Sequence, residues 1–185
     1  MAETYKIRAA AKGDIPAIAA IYAREVLENV ATFEEVPPSE GEMGQRMDKV
    51  HGLGLPYIVA ECDGDILGYA YAGPFHARAA YRYTVEDTVY IRPDQHRRGI
   101  GRALLADIVG RCESLGARQM MALITHLPDS GSVALHAALG FRMMGVAHSV
   151  GYKFGRWLDV AYMQRPLGAA DQTPPDRPAP GPAHV

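Results

Sequence analysis

Apolar residues recur along this chain with two distinct periods, and the alternation between them predicts the order of its elements. Ile15, Ile18, Ile21 and Tyr22 follow the three-to-four spacing of one helix face, and Asp14 with Pro16 supplies an opening signal, so a helix is predicted to about Asn29. Ser39 and Glu42 form a capping box that opens a second helix towards Leu53. The loop at residues 31–38, with its paired prolines, separates the two.

A period of two marks the strands. YKIRAA at the start, PYIVAEC and ILGYAYAG around the turn Asp63-Gly64-Asp65, and YTVEDTVYI are β-branched, aromatic or alternating runs. Ile100, Leu104, Leu105, Ile108 and Val109 return to the helical stripe, which Gly116 stops. There follow a short strand MMALI, a small-residue helix from Ser130 to Leu139, and strands at about Met143–Tyr152 and Leu158–Gln164. The predicted class is α/β (α+β), a mixed central sheet of about seven strands flanked by about four helices.

Composition narrows the function classes. With 185 residues the chain suits one domain over residues 1–167, and the segment 168–185, holding five of the 13 prolines, is expected to be a disordered tail. A formal net charge of -2 offers no broad basic footprint for nucleic acid. There is no secretory h-region and no apolar run of membrane-spanning length, so a cytoplasmic protein without a membrane partner is expected. Cys62 and Cys112 fall on different predicted elements, outside any CxxC pair, and the seven histidines lack ligand spacing, so reduced thiols and no metal are expected.

One junction carries chemistry. In YIRPDQHRRGIGRALL, residues 90–105, a strand ends, a glycine-arginine loop follows and a helix begins. Such a junction aims free backbone N–H groups and the positive helix end at one point, where an anion binds. The spacing is not that of a P-loop, which needs GxxxxGK[ST], nor of a dinucleotide fingerprint, since GIGRAL lacks the third glycine. A tight turn with solvated arginines is the plainer alternative.

HRRGIG at residues 96–101 resembles the acyl-CoA loop of the GCN5-related N-acetyltransferases (GNAT), with His96 standing where that family usually has Gln or Arg. TFEEVPP, AYRYTVEDTVYI, LHAALGF and GYKFGRWLDVAYMQRPL are similar to the branch that acetylates phosphinothricin, methionine sulfone and methionine sulfoximine. The resemblance covers about Tyr5 to Leu167. It implies the GNAT fold, acetyl-CoA as co-substrate, a small amino-acid-like amine as acceptor, direct transfer in a ternary complex, and a homodimer.

By the same resemblance Glu86 matches the strand carboxylate that acts as general base, and His136 is a second catalytic candidate whose role as acid, base or positioner stays open. Read from the residues alone, Glu86 could equally be a solvated strand residue or half of an ion pair, and His136 a structural histidine. Strand alternation sets Glu86, Thr88 and Tyr90 on one face and Val85, Val89 and Ile91 on the other, although the family carries a bulge in this strand. Val89, Tyr90 and Ile91 are expected to bind the pantetheine arm. Arg97, Arg98, Gly99, Ile100, Gly101 and Arg102 are expected to bind the pyrophosphate, and Ser130 lies where relatives have a cofactor-proximal asparagine. The acceptor is expected to meet Phe33, His76, Ala77, Arg78, Asp87 and Thr88, with Arg78 taking its carboxylate and Glu35 closing the loop. Lys153, Trp157 and Asp159 match the branch as structural or interface residues. Two other functions compete: acetylation of a protein N-terminus or lysine, and a non-catalytic acyl-CoA-binding module.

Overall fold

A computed structural model describes residues 5–128 and 130–180. The elements run β1 (Lys6–Ala9), α1 (Ile15–Glu28), α2 (Glu40–Gly52), β2 (Tyr57–Cys62), β3 (Asp65–Pro74), β4 (Thr84–Ile91), α3 (Ile100–Ser114), β5 (Gln119–His126), α4 (Gly131–Ala138), β6 (Arg142–Lys153) and β7 (Arg156–Pro166). The strands form one sheet in the order β1-β2-β3-β4-β5-β7-β6. All neighbours are antiparallel except β4 and β5.

Local signals account for the helix ends. Ser39 caps α2 as a reciprocal box, its hydroxyl accepting from Glu42 N at 3.2 Å while Glu42 accepts from Ser39 N at 2.7 Å. Asp14 opens α1 differently: its carboxylate accepts from Arg8 at 2.7 and 2.8 Å and from Ala11 N at 2.8 Å, tying the helix start to β1 instead of capping it. The α3 stripe is buried as its spacing predicts, with Leu104, Leu105 and Ile108 fully enclosed. Each such side chain contributes about 1.5–3 kcal/mol of burial.

Helices α1 and α2 pack together over β2, β3 and β4, and α3 with α4 covers the opposite side of the sheet. One expectation changes here. The register of β4 on β3 runs without a break from Pro74↔Val85 to Gly68↔Ile91; the sheet's irregularity on this side falls instead between β2 and β3, at Ala60/Glu61. The segment expected to be a disordered tail lies against the fold as far as it is described. The Arg118 guanidinium donates to Ala170 O at 3.3 Å, Pro174 O at 3.2 Å and Asp176 at 3.0 Å, and Tyr83 Oη donates to Arg177 O at 3.2 Å. A proline-rich chain leaves its carbonyls free for outside donors, and a buried arginine supplies them. Residues 181–185 lie outside the described residues.

Candidate active site

The single parallel pairing in the sheet creates the site. Strands β4 and β5 pair only over Thr84–Glu86 with Gln119–Met121. Beyond that point β4 stays with β3 and β5 stays with β7 to the end of each strand. The sheet therefore splits, leaving one edge of Asp87–Ile91 without a strand partner. A cavity of about 700 Å³ occupies the split, with Thr88, Val89 and Tyr90 on one wall and Ala122–Thr125 on the other.

At the open end lies the glycine-arginine loop. Arg97 and Gly99 have φ of +61° and +80°, and Gly99 is the N-cap of α3 with no side chain capping the helix. A left-handed N-cap is easiest for glycine. The first-turn N–H groups thus have neither a side-chain cap nor an acidic neighbour, and the exposed Arg97 and Arg102 flank Gly99–Gly101 in the chain. The Arg98 guanidinium is bonded to the buried Gln95. His96 folds back, its Nε2 donating to Ile91 O at 3.2 Å, and lines the cavity beside Glu25 of α1.

Glu86 sits at the fork of the split. It is half-buried, has no hydrogen-bond partner among the described residues, and its carboxyl is pushed up to about 7, first by burial and then by the charge of Asp87. A carboxylate poised near neutrality can take a proton from an incoming cationic group.

Asp87, one residue on, faces the other side. Its Oδ2 accepts from His136 Nε2 at 3.0 Å, both side chains being almost fully buried, and His136 Nδ1 donates to Ser132 O at 2.7 Å. Burial disfavours the imidazolium, but the Asp87 bond, the Asp87 charge and the Ser132 carbonyl outweigh it and raise the histidine pKa. With an acceptor on each nitrogen the ring donates from both. Burial, aided by the Asp87 charge, pushes the neighbouring Cys112 thiol up to about 12, and both cysteines are free and buried. Among the described residues no cluster of His, Cys, Asp and Glu could hold a metal ion, and no helix is long and apolar enough to cross a membrane.

Glu86, Thr88, Val89, Tyr90, Ser130 and His136 all line the cavity, and Ser130 also caps α4 by accepting from Val133 N at 3.4 Å. The other expected acceptor residues stand in three places. Asp87 also lines the cavity, and unbroken alternation turns its carboxylate towards α4, where it meets His136. Phe33 turns onto β6, where a Cβ on Gly151 would lie 2.2 Å from its ring, and Glu35 is exposed. His76, Ala77 and Arg78 stand on the exposed connection after β3, and none lines the cavity.

The strap over the cavity is held by residues that sequence reasoning missed or left undecided. Lys153 Nζ donates to Asn29 O and Thr32 O at 2.8 Å each, Thr125 Oγ1 donates to Val30 O, and Glu34 binds Arg46 at 2.7 and 3.1 Å. No periodicity marks such long-range pairs; the lone lysine in GYKFGRW was their only signal.

Comparisons with known proteins agree with this geometry. The acetyltransferase (GNAT) domain family matches residues 7–162. The chain is 51% identical over 170 residues to a phosphinothricin N-acetyltransferase of Alcaligenes faecalis, covering 92% of this chain and 86% of that one. It is 37% identical over 169 residues to the L-methionine sulfoximine/L-methionine sulfone acetyltransferase of Pseudomonas aeruginosa, covering 91% and 98%. Its fold superposes with a TM-score of 0.91, at 48% identity and 95% coverage of both chains, on a GNAT superfamily phosphinothricin acetyltransferase from Sinorhizobium meliloti solved in complex with AcCoA. A split sheet, an uncapped helix start at its open end and a family match spanning nearly the whole sheet lead to one assignment: the chain belongs to the GNAT acetyltransferase family.

Proposed function

We propose that this protein transfers the acetyl group of acetyl-CoA to the α-amine of a small amino-acid analogue of the phosphinothricin, methionine sulfone or methionine sulfoximine type, by direct transfer in a ternary complex. The observation that carries this reading is the position of Glu86, a half-buried carboxyl raised to about 7 at the fork of the β4–β5 split. The relatives' acceptors support the substrate class.

Acetyl-CoA supplies an activated thioester. The unpaired edge at Val89, Tyr90 and Ile91 offers strand backbone groups to a peptide-like arm. The N–H groups at Gly99–Gly101, with Arg97, Arg98 and Arg102, hold the phosphates. Glu86 accepts the proton of an ammonium whose ordinary pKa is about 8. His136, with both nitrogens donating inside the protein, serves as a positioning residue for β4 and α4. A cytoplasmic homodimer that confers resistance to such analogues completes the proposal. The exposed Tyr152, Phe154 and Trp157 on the β6–β7 hairpin support a paired surface.

Thiol release from acetyl-CoA with L-phosphinothricin, L-methionine sulfone and L-methionine sulfoximine tests the reading, with N-terminal peptides alongside. Turnover of at least one analogue above any peptide is expected. No turnover of the three would refute the acceptor class.

A further inference from the structure

Glu25 of α1 is a buried acid for which the chemistry above has no task. It is only 7% exposed and lines the β4–β5 cavity, yet its carboxyl has no hydrogen-bond partner among the described residues. The unpartnered hydroxyl of Tyr69 is sealed inside the core, whereas the Glu25 oxygens keep accessible surface. A buried carboxyl without a donor carries a desolvation cost that a hydrogen from a ligand would lower.

Its place along β4 says which part of a ligand it meets. The Glu25 charge acts on Tyr90 and the His96 charge acts on Glu25, so the carboxyl stands near the end of β4 and the glycine-arginine loop. Four strand residues, about 13 Å, separate Tyr90 from Glu86 at the fork. At this end the strand edge has lost an acceptor. Arg92 N donates to Leu67 O at 2.9 Å, which turns the Ile91 carbonyl away from β3 and onto the open edge, and His96 Nε2 already donates to it at 3.2 Å. A ligand donor lying there meets Glu25 as the open acceptor. Burial, with the Glu28 charge, raises the Glu25 carboxyl against the charges of His96, Arg24 and Lys153. It therefore holds less negative charge towards neighbouring phosphates than a solvated glutamate would.

We infer that Glu25 accepts the hydrogen bond of the pantoyl hydroxyl of acetyl-CoA. With the thioester at Glu86 and the phosphates at Gly99–Gly101, this hydroxyl is the last polar group before the phosphates and falls beside Tyr90 and His96. The amides of the arm suit a strand edge, and the hydroxyl suits a side-chain acceptor. This inference rests on the acetyl-transfer reading above and adds to it a cofactor-binding residue supplied by a helix.

The test measures the acetyl-CoA Kd by titration calorimetry without acceptor, and kcat/KM with L-methionine sulfone for three acetyl donors. These are acetyl-CoA, S-acetylpantetheine, which keeps the hydroxyl but has no phosphate, and S-acetyl-N-acetylcysteamine, which lacks both. Glu25→Met should raise the acetyl-CoA Kd roughly 2- to 10-fold and lower kcat/KM by a similar factor for acetyl-CoA and S-acetylpantetheine, with no change for S-acetyl-N-acetylcysteamine. Glu25→Gln, which keeps a carbonyl oxygen, should recover most of the loss. The Tm of Glu25→Met should be equal or higher, since no side-chain bond within the protein is removed. An unchanged Kd, an equal loss for all three donors, or a loss confined to acetyl-CoA would overturn the assignment while leaving acetyl transfer intact. If the wild type binds acetyl-CoA but acetylates no analogue, the acceptor class falls and the Kd comparison alone decides for Glu25. A wild type that does not bind acetyl-CoA would overturn the acetyl-transfer reading, and the part of Glu25 with it.

Discussion

Glu86 and Asp87 are adjacent acids in one strand, and the pleat sends them to opposite faces with opposite fates. Asp87 is buried against a histidine that donates to it, so its charge is compensated and the pair ties β4 to α4. Glu86 is half-buried without a partner among the described residues, and its proton affinity rises in consequence. The same desolvation produces an anchor where a donor is waiting and a carboxyl of raised proton affinity where none is. Chemistry at this strand therefore depends on which neighbour is missing as much as on which is present.

The largest expected effect tests the base. Glu86→Gln should lower kcat/KM by about 100- to 10,000-fold and remove the rising limb near pH 7, leaving only the acceptor amine's own titration. A loss under tenfold would place the proton elsewhere.

The anchor side predicts a stability effect instead. Asp87→Ala strips a buried imidazolium of its counter-charge and should cost about 3–5 kcal/mol in urea unfolding. The His136 pKa is raised on folding, so the pair's contribution is complete below about pH 6.5 and is lost as pH climbs through the folded value. A wild-type stability flat across that window would contradict a charged pair.

Glu86→Gln should also stabilise the fold, by about 1–2 kcal/mol once its partial exposure is allowed for. The folded carboxyl binds its proton more tightly than the unfolded one. Its ionisation therefore erodes stability as pH rises from 4.5 to about 7. The gain should be present at pH 8 and absent at pH 4, as differential scanning fluorimetry would show.

The smallest effect joins the two sides. Because the Asp87 charge helps raise Glu86, Asp87→Asn should move the rising limb of kcat/KM to lower pH. A limb moving upward would mean that Asp87 acts on Glu86 through structure and not through charge.

Much of this was legible in the chain. Apolar periods of two and three to four gave the element order, the Ser39–Glu42 box gave the start of α2, and HRRGIG before an amphipathic stripe marked the junction where α3 starts without a side-chain cap. Alternation set Glu86, Thr88 and Tyr90 on one face, and the family's bulge, which left the side of Asp87 open, is not seen between β3 and β4. What the chain does not show locally lies where a side chain's destination depends on distant sequence. Phe33 reads as a pocket residue until Gly151, far along the chain, leaves a hollow for its ring. The proline-rich end reads as unstructured until Arg118 meets its carbonyls.

The sequence by itself determined the elements, their order and the residue types at the strand-to-helix junction, because periodicity and capping are local and each residue carries its preference with it. Only the tertiary structure decided where β4 and β5 part, which acid meets a histidine and which meets nothing, and that Tyr69 is buried without an acceptor. Those outcomes depend on desolvation and on partners brought together from distant parts of the chain, and neither is a property of any local stretch.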